Sequence, residues 1–419
     1  MSRLKQWIVG ICLVCCLFSL SACQPAADSG SAIVHLTLWQ GVNPPPNRDV
    51  LQKLVDKFNQ RHPGIQVESL YVGQSDQQMP KILAAVVGNA PPNLLWFAPT
   101  ITGQLVELEA IKPLEDWLAT TQVKAQIDPV LFETMQWEEH TWSVPFGVNN
   151  VGIFYRPSLF KAAGITQLPR TWEELRQVAR QLTIANQQHG MILPLGKSEW
   201  TVFTWLPFMW SGGGELMAEG SVQIANSGAI AALHFWQDLL TDGSAILSQP
   251  ERGYELDDFL AGKVAMQITG PWTLGQLQAT GVDFAVMPIP AAARAATSVG
   301  GENLFVFKTT PTEEQASLVF AEYVLSEEFQ TEWAIGTGYL PVNLNAQKSS
   351  AYQQFAQQQP AVDVFLNQAK FGRSRPIFPG YSRISENLGR AIEAVLLQKD
   401  TPEAALQTSQ KRLDLSLTP

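Results

Sequence analysis

The chain has 419 residues, 46% of them apolar and 16% charged, with 38 acidic against 28 basic side chains and a net charge of −10 at pH 7. That length and composition argue against a disordered tail or a lone small domain and call for two or three units with cores of their own. The acidic balance argues against nucleic acid as a partner, because neutralising phosphates takes clustered Lys and Arg.

The first segment places Arg3 and Lys5 before the apolar stretch Trp7 to Leu20, followed by small residues and Cys23. This is the layout of an export signal. The apolar run is shorter than the ~20 residues that span a bilayer as a helix. Removing residues 1–22 takes away Cys12, Cys15 and Cys16 and leaves Cys23 alone, so no disulfide can form within the mature chain. Stability must come from the core. The mature balance is 26 basic against 38 acidic residues, or −12. Residues 23–32, small and polar, read as a flexible tether.

From Ile33 the pattern changes. Ile33 to Trp39 alternates as a strand, and Leu51, Leu54, Val55 and Phe58 recur at helical spacing until Pro63-Gly64. Ile65 to Leu70 reads as a second strand, completing a βαβ unit. Capping boxes are expected at Thr171 with Glu174 and at Thr312 with Gln315, and Thr401-Pro402 fits an N-cap followed by proline. Strands are expected at 152–155, 264–268 and 304–307. Interleaved strands and helices imply an α/β fold. No repeat, metal-ligand spacing or glycine-rich phosphate loop is present in the sequence.

Two resemblances are carried by specific residues. Leu20-Ser21-Ala22-Cys23 resembles the lipobox of bacterial lipoproteins, which implies acylation of Cys23 and a lipid anchor in a membrane. Leu38-Trp39-Gln40-Gly41, Val144-Pro145-Phe146, Thr171-Trp172-Glu173-Glu174-Leu175, Phe259 to Met266 with Gly270-Pro271-Trp272, Gly300-Gly301-Glu302-Asn303 and Thr337-Gly338-Tyr339-Leu340-Pro341 stand in order along nearly the whole mature chain. Together they resemble the extracellular solute-binding proteins of ABC importers, family 1, the carbohydrate-type group. One departure is Asn93, where that family usually has aspartate. The resemblance implies a two-lobed periplasmic-binding-protein fold with discontinuous lobes and a hinge. The lobes would be 33–145 plus 303–342 and 146–302 plus 343–419, with crossings near 145–151 and 298–304. It also implies a monomer without cofactors, delivering a small glycoside, disaccharide or sugar-type osmolyte to permease subunits, with no catalysis.

A sugar needs flat aromatic platforms for its C–H face and polar side chains for its hydroxyl rim. Candidate platforms are Trp39, Trp96, Trp200, Trp272 and Tyr339, and each could instead be core. Candidate polar partners are Gln40, Gln74, Asn150, Glu302 and Asn303, with Ser75, Asn149 and Glu199, all read as lying in loops; turn capping is the alternative role of the asparagines. Gly301 permits close backbone approach to a ligand, or only a turn. Arg373, Arg375 and Arg383 could clamp a phosphate or form salt bridges, and a resemblance to relatives that bind glycerol 3-phosphate or its diesters implies that such a ligand would be felt at Gly301, Tyr339 and Arg375. An exported glycosidase with two carboxylates is the remote alternative; no motif supports it.

Overall fold

The computed structural model describes residues 33–417 apart from 219 and 251–253. The signal-like segment, Cys23 and the tether lie outside the described residues. In β1 (Val34–Gln40) every second residue points inward, burying Leu36 and Leu38. Helix α1 (Pro45–Arg61) starts on proline, where a missing N–H costs nothing, and buries Leu51, Leu54, Val55 and Phe58. It ends before Pro63-Gly64, and β2 (Ile65–Tyr71) returns parallel to β1. Helix α2 (Ser75–Val87) leads to β3 (Leu94–Phe97), buried throughout and parallel to β1. Asn93 keeps a polar role without a charge: its Oδ1 accepts the Thr37 N–H at 2.8 Å. The short helix α3 (Thr102–Glu107) follows.

The chain then runs through β4 (Val144–Asn150) and, after one residue, β5 (Gly152–Tyr155). These two strands belong to different sheets. Helix α4 (Trp172–Gln181), β6 (His189–Leu193), helices α5 (Glu199–Ser211) and α6 (Ser227–Thr241), β7 (Ala245–Leu247), β8 (Val264–Thr269) and β9 (Ala285–Met287) follow. They build a second sheet of order β7-β6-β8-β5-β9. The long β10 (Thr297–Val306) crosses back, pairing antiparallel with β4 from Val299 to Leu304 and with β3 from Asn303 to Val306. With a short β11 (Gly372–Arg373) the first sheet has the order β11-β10-β3-β1-β2, with β4 beside β10.

Both expected crossings are therefore one antiparallel ribbon between two sheets. Helices α7 (Pro311–Val324) and α8 (Glu327–Thr337) pack on β1 and α1 of the first sheet. After α9 (Pro360–Ala369), helices α10 (Tyr381–Leu396) and α11 (Pro402–Leu417) pack on each other, and both on α6; α10 also packs on α5. The result is a two-lobed α/β fold. No described helix is long and apolar enough to cross a membrane.

The caps show local sequence at work. The Thr171–Glu174 box forms as expected, with both reciprocal bonds at 3.2 Å. The second box is displaced: Thr310 and Glu313 form it, not Thr312 and Gln315. Pro311 is the reason, because its locked φ and missing N–H suit the first helical position and leave the cap to the residue before it. Thr401 caps α11 through Ala404 N at 3.3 Å.

One ion cluster pins α4 to the end of α6. Arg176 donates twice to Asp242, at 2.6 and 2.9 Å, and Arg180 adds a bond at 2.7 Å. These hydrogen bonds, Arg176's first, hold the Asp242 carboxyl well below the usual range. On the first lobe, Arg61 and then Lys57 hold Glu328 down to about 2. Depressed carboxylates stabilise the fold above their unfolded pKa, roughly 4, and lose that contribution as pH falls through the folded value. Asp242→Asn is expected to cost about 1–2 kcal/mol in urea unfolding at neutral pH, a charged hydrogen-bond pair discounted for partial exposure. The gap between variant and wild type should narrow steadily as pH drops below about 4; a gap that stays constant there would refute the assignment.

Candidate functional site

A cavity of about 470 Å³ lies between the two sheets, the size range of small-ligand sites. The first lobe contributes Gln74 and Asp76 at the start of α2, Trp96 near the end of β3, and Thr100. The second contributes Glu199, Trp200 and Phe203 from the first turns of α5, and Trp272 from the one-turn helix after β8. Asn149 and Glu302 enter from the crossing strands, Tyr339 from beyond α8, and Arg375, Tyr381 and Ser385 from the C-terminal segment. The aromatic rings touch in series: Trp200 and Trp272 meet edge to face at 6.0 Å, Trp272 and Tyr339 at 6.4 Å, Trp200 and Phe203 at 6.3 Å.

One wall is a half-buried polar network centred on Glu199. Its carboxylate accepts from Arg375 Nη1, from the Ser385 hydroxyl, and from the Tyr381 hydroxyl at 2.8 Å. Tyr381 and Ser385 are one helical turn apart on α10, so they share a face. Burial alone would disfavour the Arg375 charge, but Glu199 more than offsets it and the pKa is raised. Burial, and then Glu199, push the Tyr381 phenol far above its ordinary value, so it stays a donor. Among the lining side chains, Gln74 Oε1, Asn149 Oδ1, Trp96 Nε1 and Arg375 Nε are buried atoms with no partner among the described residues. Two accept and two donate. A hydroxyl does both, so a polyol is matched to such a set.

Of the twelve residues singled out by sequence, seven line the cavity: Gln74, Trp96, Trp200, Trp272, Glu302, Tyr339 and Arg375. Five do not. Trp39 packs against the apolar cluster that includes Ile82 and Phe305. Its neighbour Gln40 turns back to accept from Val42 N at 2.8 Å. Asn150 is locked between Phe365 O (3.0 Å) and Gln368 Nε2 (2.6 Å). Asn303 donates to Thr134 O and Ser143 Oγ; strand alternation puts it opposite Glu302, and a register shift lies between the two. Gly301 has φ +115°, and a Cβ there would stand 2.1 Å from Gly147 O, so strand pairing is what requires its glycine.

The expectation that the polar candidates lie in loops also needs correction. Gln40, Asn149, Asn150, Glu302 and Asn303 are in strands, and Ser75 and Glu199 open helices. The three arginines separate: Arg373 pairs with Glu215 over the Trp210 ring, Arg383 donates to Ser416 O, and only Arg375 reaches the cavity. Trp205 and Trp210, 0% and 2% exposed, fill the second lobe's core. Sequence reasoning missed Asp76, Tyr381 and Ser385. The i, i+4 spacing of the last two was visible, but their convergence on a residue nearly two hundred positions away was not.

Two sheets bridged by paired strands, with a solute-sized cavity walled from both sides, define a periplasmic-binding-protein fold. The chain belongs to the bacterial extracellular solute-binding protein family, whose model matches residues 53–361. Its place is therefore outside the cytoplasm. Among relatives, the sn-glycerol-3-phosphate-binding periplasmic protein of Yersinia pestis is 25% identical over 415 residues, 92% of this chain and 93% of that protein. An ABC transporter solute-binding protein from Thermotoga lettingae, bound with α-D-tagatose, superposes with a TM-score of 0.83 at 24% identity, covering 92% of this chain and 100% of that one. UgpB from Mycobacterium tuberculosis, in complex with glycerophosphocholine, gives 0.82 at 19% identity, covering 93% and 99%. These relatives bind solutes.

Proposed function

We propose that this protein is the receptor of an ABC importer for a small glycoside, disaccharide or sugar-type osmolyte, held between the lobes and handed to permease subunits without chemical change. The observation that carries the reading is the cavity itself: a connected run of indole and phenol rings beside buried donors and acceptors left without partners. Rings cover the C–H face of a sugar and polar atoms take its hydroxyls. The ligand contacts would be Gln74, Trp96, Asn149, Trp200, Trp272, Glu302 and Tyr339. The lobes would comprise 33–145 with 303–342, and 146–302 with 343–419. The chain would act as a monomer, tethered through lipid on Cys23.

Arg375 in the cavity wall favours one second reading, a glycerol phosphate or its diester. A melting-temperature screen decides between them, using the chain without residues 1–23, which leaves every described element whole. A bound ligand stabilises by about 2.7 kcal/mol at a hundredfold excess over Kd. Neutral di- and trisaccharides and glycosylated polyols are expected to raise the melting temperature, with saturation. A shift with glycerol phosphates alone would overturn the sugar reading, and turnover of any hit would overturn the receptor role.

A further inference from the structure

We infer that Glu199 is the specificity-determining residue of this cavity: it occupies the Arg375 guanidinium and thereby makes the site reject phosphate-bearing solutes. The inference rests on the receptor reading above and adds the sign of charge the site accepts. A guanidinium recognises phosphate by presenting two parallel donors to its oxygens. Here one arm of that fork is engaged. Nη1 donates to Glu199, and the guanidinium lies over the Phe203 ring at 4.5 Å from its centroid. Glu302 adds a second carboxylate close enough to strengthen the arginine's charge.

The anion for which this wall is built is thus already part of the chain. Tyr381 and Ser385 donate to Glu199 as well, so one carboxylate draws three donors that could otherwise have served a ligand phosphate. The remaining charges point the same way. Four carboxylates line the cavity (Asp76, Glu199, Glu302 and Glu386) against two cations, Lys197 and Arg375; outside the lining, Lys197 stands 3.6 Å from Glu393 and Glu386 pairs with Arg390. A phosphate monoester carries about −1.5 to −2 near neutrality. To enter, it would have to displace Glu199 from its half-buried pair with Arg375 or lie beside that carboxylate where water screens weakly. A neutral polyol meets neither obstacle, and its hydroxyls can accept from Arg375 Nε and donate to Asn149 Oδ1. Arg375 then acts as a positioning residue for Glu199.

Isothermal titration and tryptophan fluorescence with glycerol 3-phosphate and with inorganic phosphate test this. Wild type is expected to show no saturable response to millimolar concentrations of either. Glu199→Gln keeps the shape and removes the charge; it should gain glycerol 3-phosphate binding by at least about tenfold, and the added change Arg375→Ala should abolish the gain. A wild-type protein that binds either phosphate, or a folded Glu199→Gln protein with no gain, overturns the inference. Should Glu199→Gln not fold, the wild-type titrations carry the test, and saturable phosphate binding by wild type overturns the inference. The neutral-sugar screen fails separately. Wild type binding both sugars and phosphates sinks the charge rule alone, while wild type binding phosphates and no sugar sinks both.

Discussion

Trp272→Ala should weaken sugar binding by roughly 30-fold or more, because truncating a buried aromatic anchor at a binding site commonly costs about 2 kcal/mol or more and each 1.4 kcal/mol is tenfold. The ring stands between Trp200 and Tyr339 and packs so closely on Gly270 that a Cβ there would lie 2.0 Å from it. Its removal therefore opens the aromatic run at its middle. The Trp272 backbone carbonyl accepts from Asn47 Nδ2 of the first lobe at 3.1 Å, a bond that survives the substitution. Trp205→Ala is the contrast. That side chain is fully buried in the core of the second lobe, and its loss should lower unfolding free energy by about 3–5 kcal/mol. Titration calorimetry and urea unfolding of both variants separate the roles. Unchanged affinity in folded Trp272→Ala would remove that ring from the site.

Gly103→Val should weaken the ligand by about 5- to 100-fold without touching the cavity, the effect of one to three kilocalories of overpacking placed on the seam between lobes. Gly103 lies in α3 of the first lobe, and its N–H donates to Ile377 O at 3.0 Å. A Cβ would stand 2.4 Å from Pro379 N and 2.7 Å from Phe378 C. Both obstacles are backbone, so no rotamer change relieves them. The segment they belong to leads into α10, which packs on α5 of the other lobe. The cheapest relief is to move the lobes apart along their hinge. A ligand that must contact both lobes then binds against that cost. Small-angle scattering should find the variant more open than wild type at equal ligand saturation, with a melting temperature close to wild type's when ligand is absent. Equal affinity and equal dimensions would show that this seam does not govern closure.

Much of the architecture was legible because its signals are local. Alternation in 33–39, helical spacing from Leu51 to Phe58, the Pro63-Gly64 stop and the Thr171–Glu174 box each depend on neighbours within one or two turns, and each stands in the structure. The Thr310 box was missed by two residues only because Pro311 was not used to set the start. The site was harder. Aromatic content beside family-like motifs led to Trp96, Trp200, Trp272 and Tyr339, while Trp39 and Gln40, drawn from the same signal, face the first lobe's interior. Sequence shows that two residues are adjacent on a strand, not which of them looks toward a neighbouring lobe.

The amino-acid order by itself determined the βαβ opening and the α/β layering, since backbone propensity and periodic burial act over a few residues. Tertiary structure alone decided that Arg375 meets Glu199 across 176 positions and that Asn150 and Asn303 are fastened to backbone and side chains of the fold. It also decided that three arginines in eleven residues go to three different partners. The reason is that charge pairing and side-chain direction depend on distances set by the packing of whole lobes, and no spacing within a single segment encodes those distances.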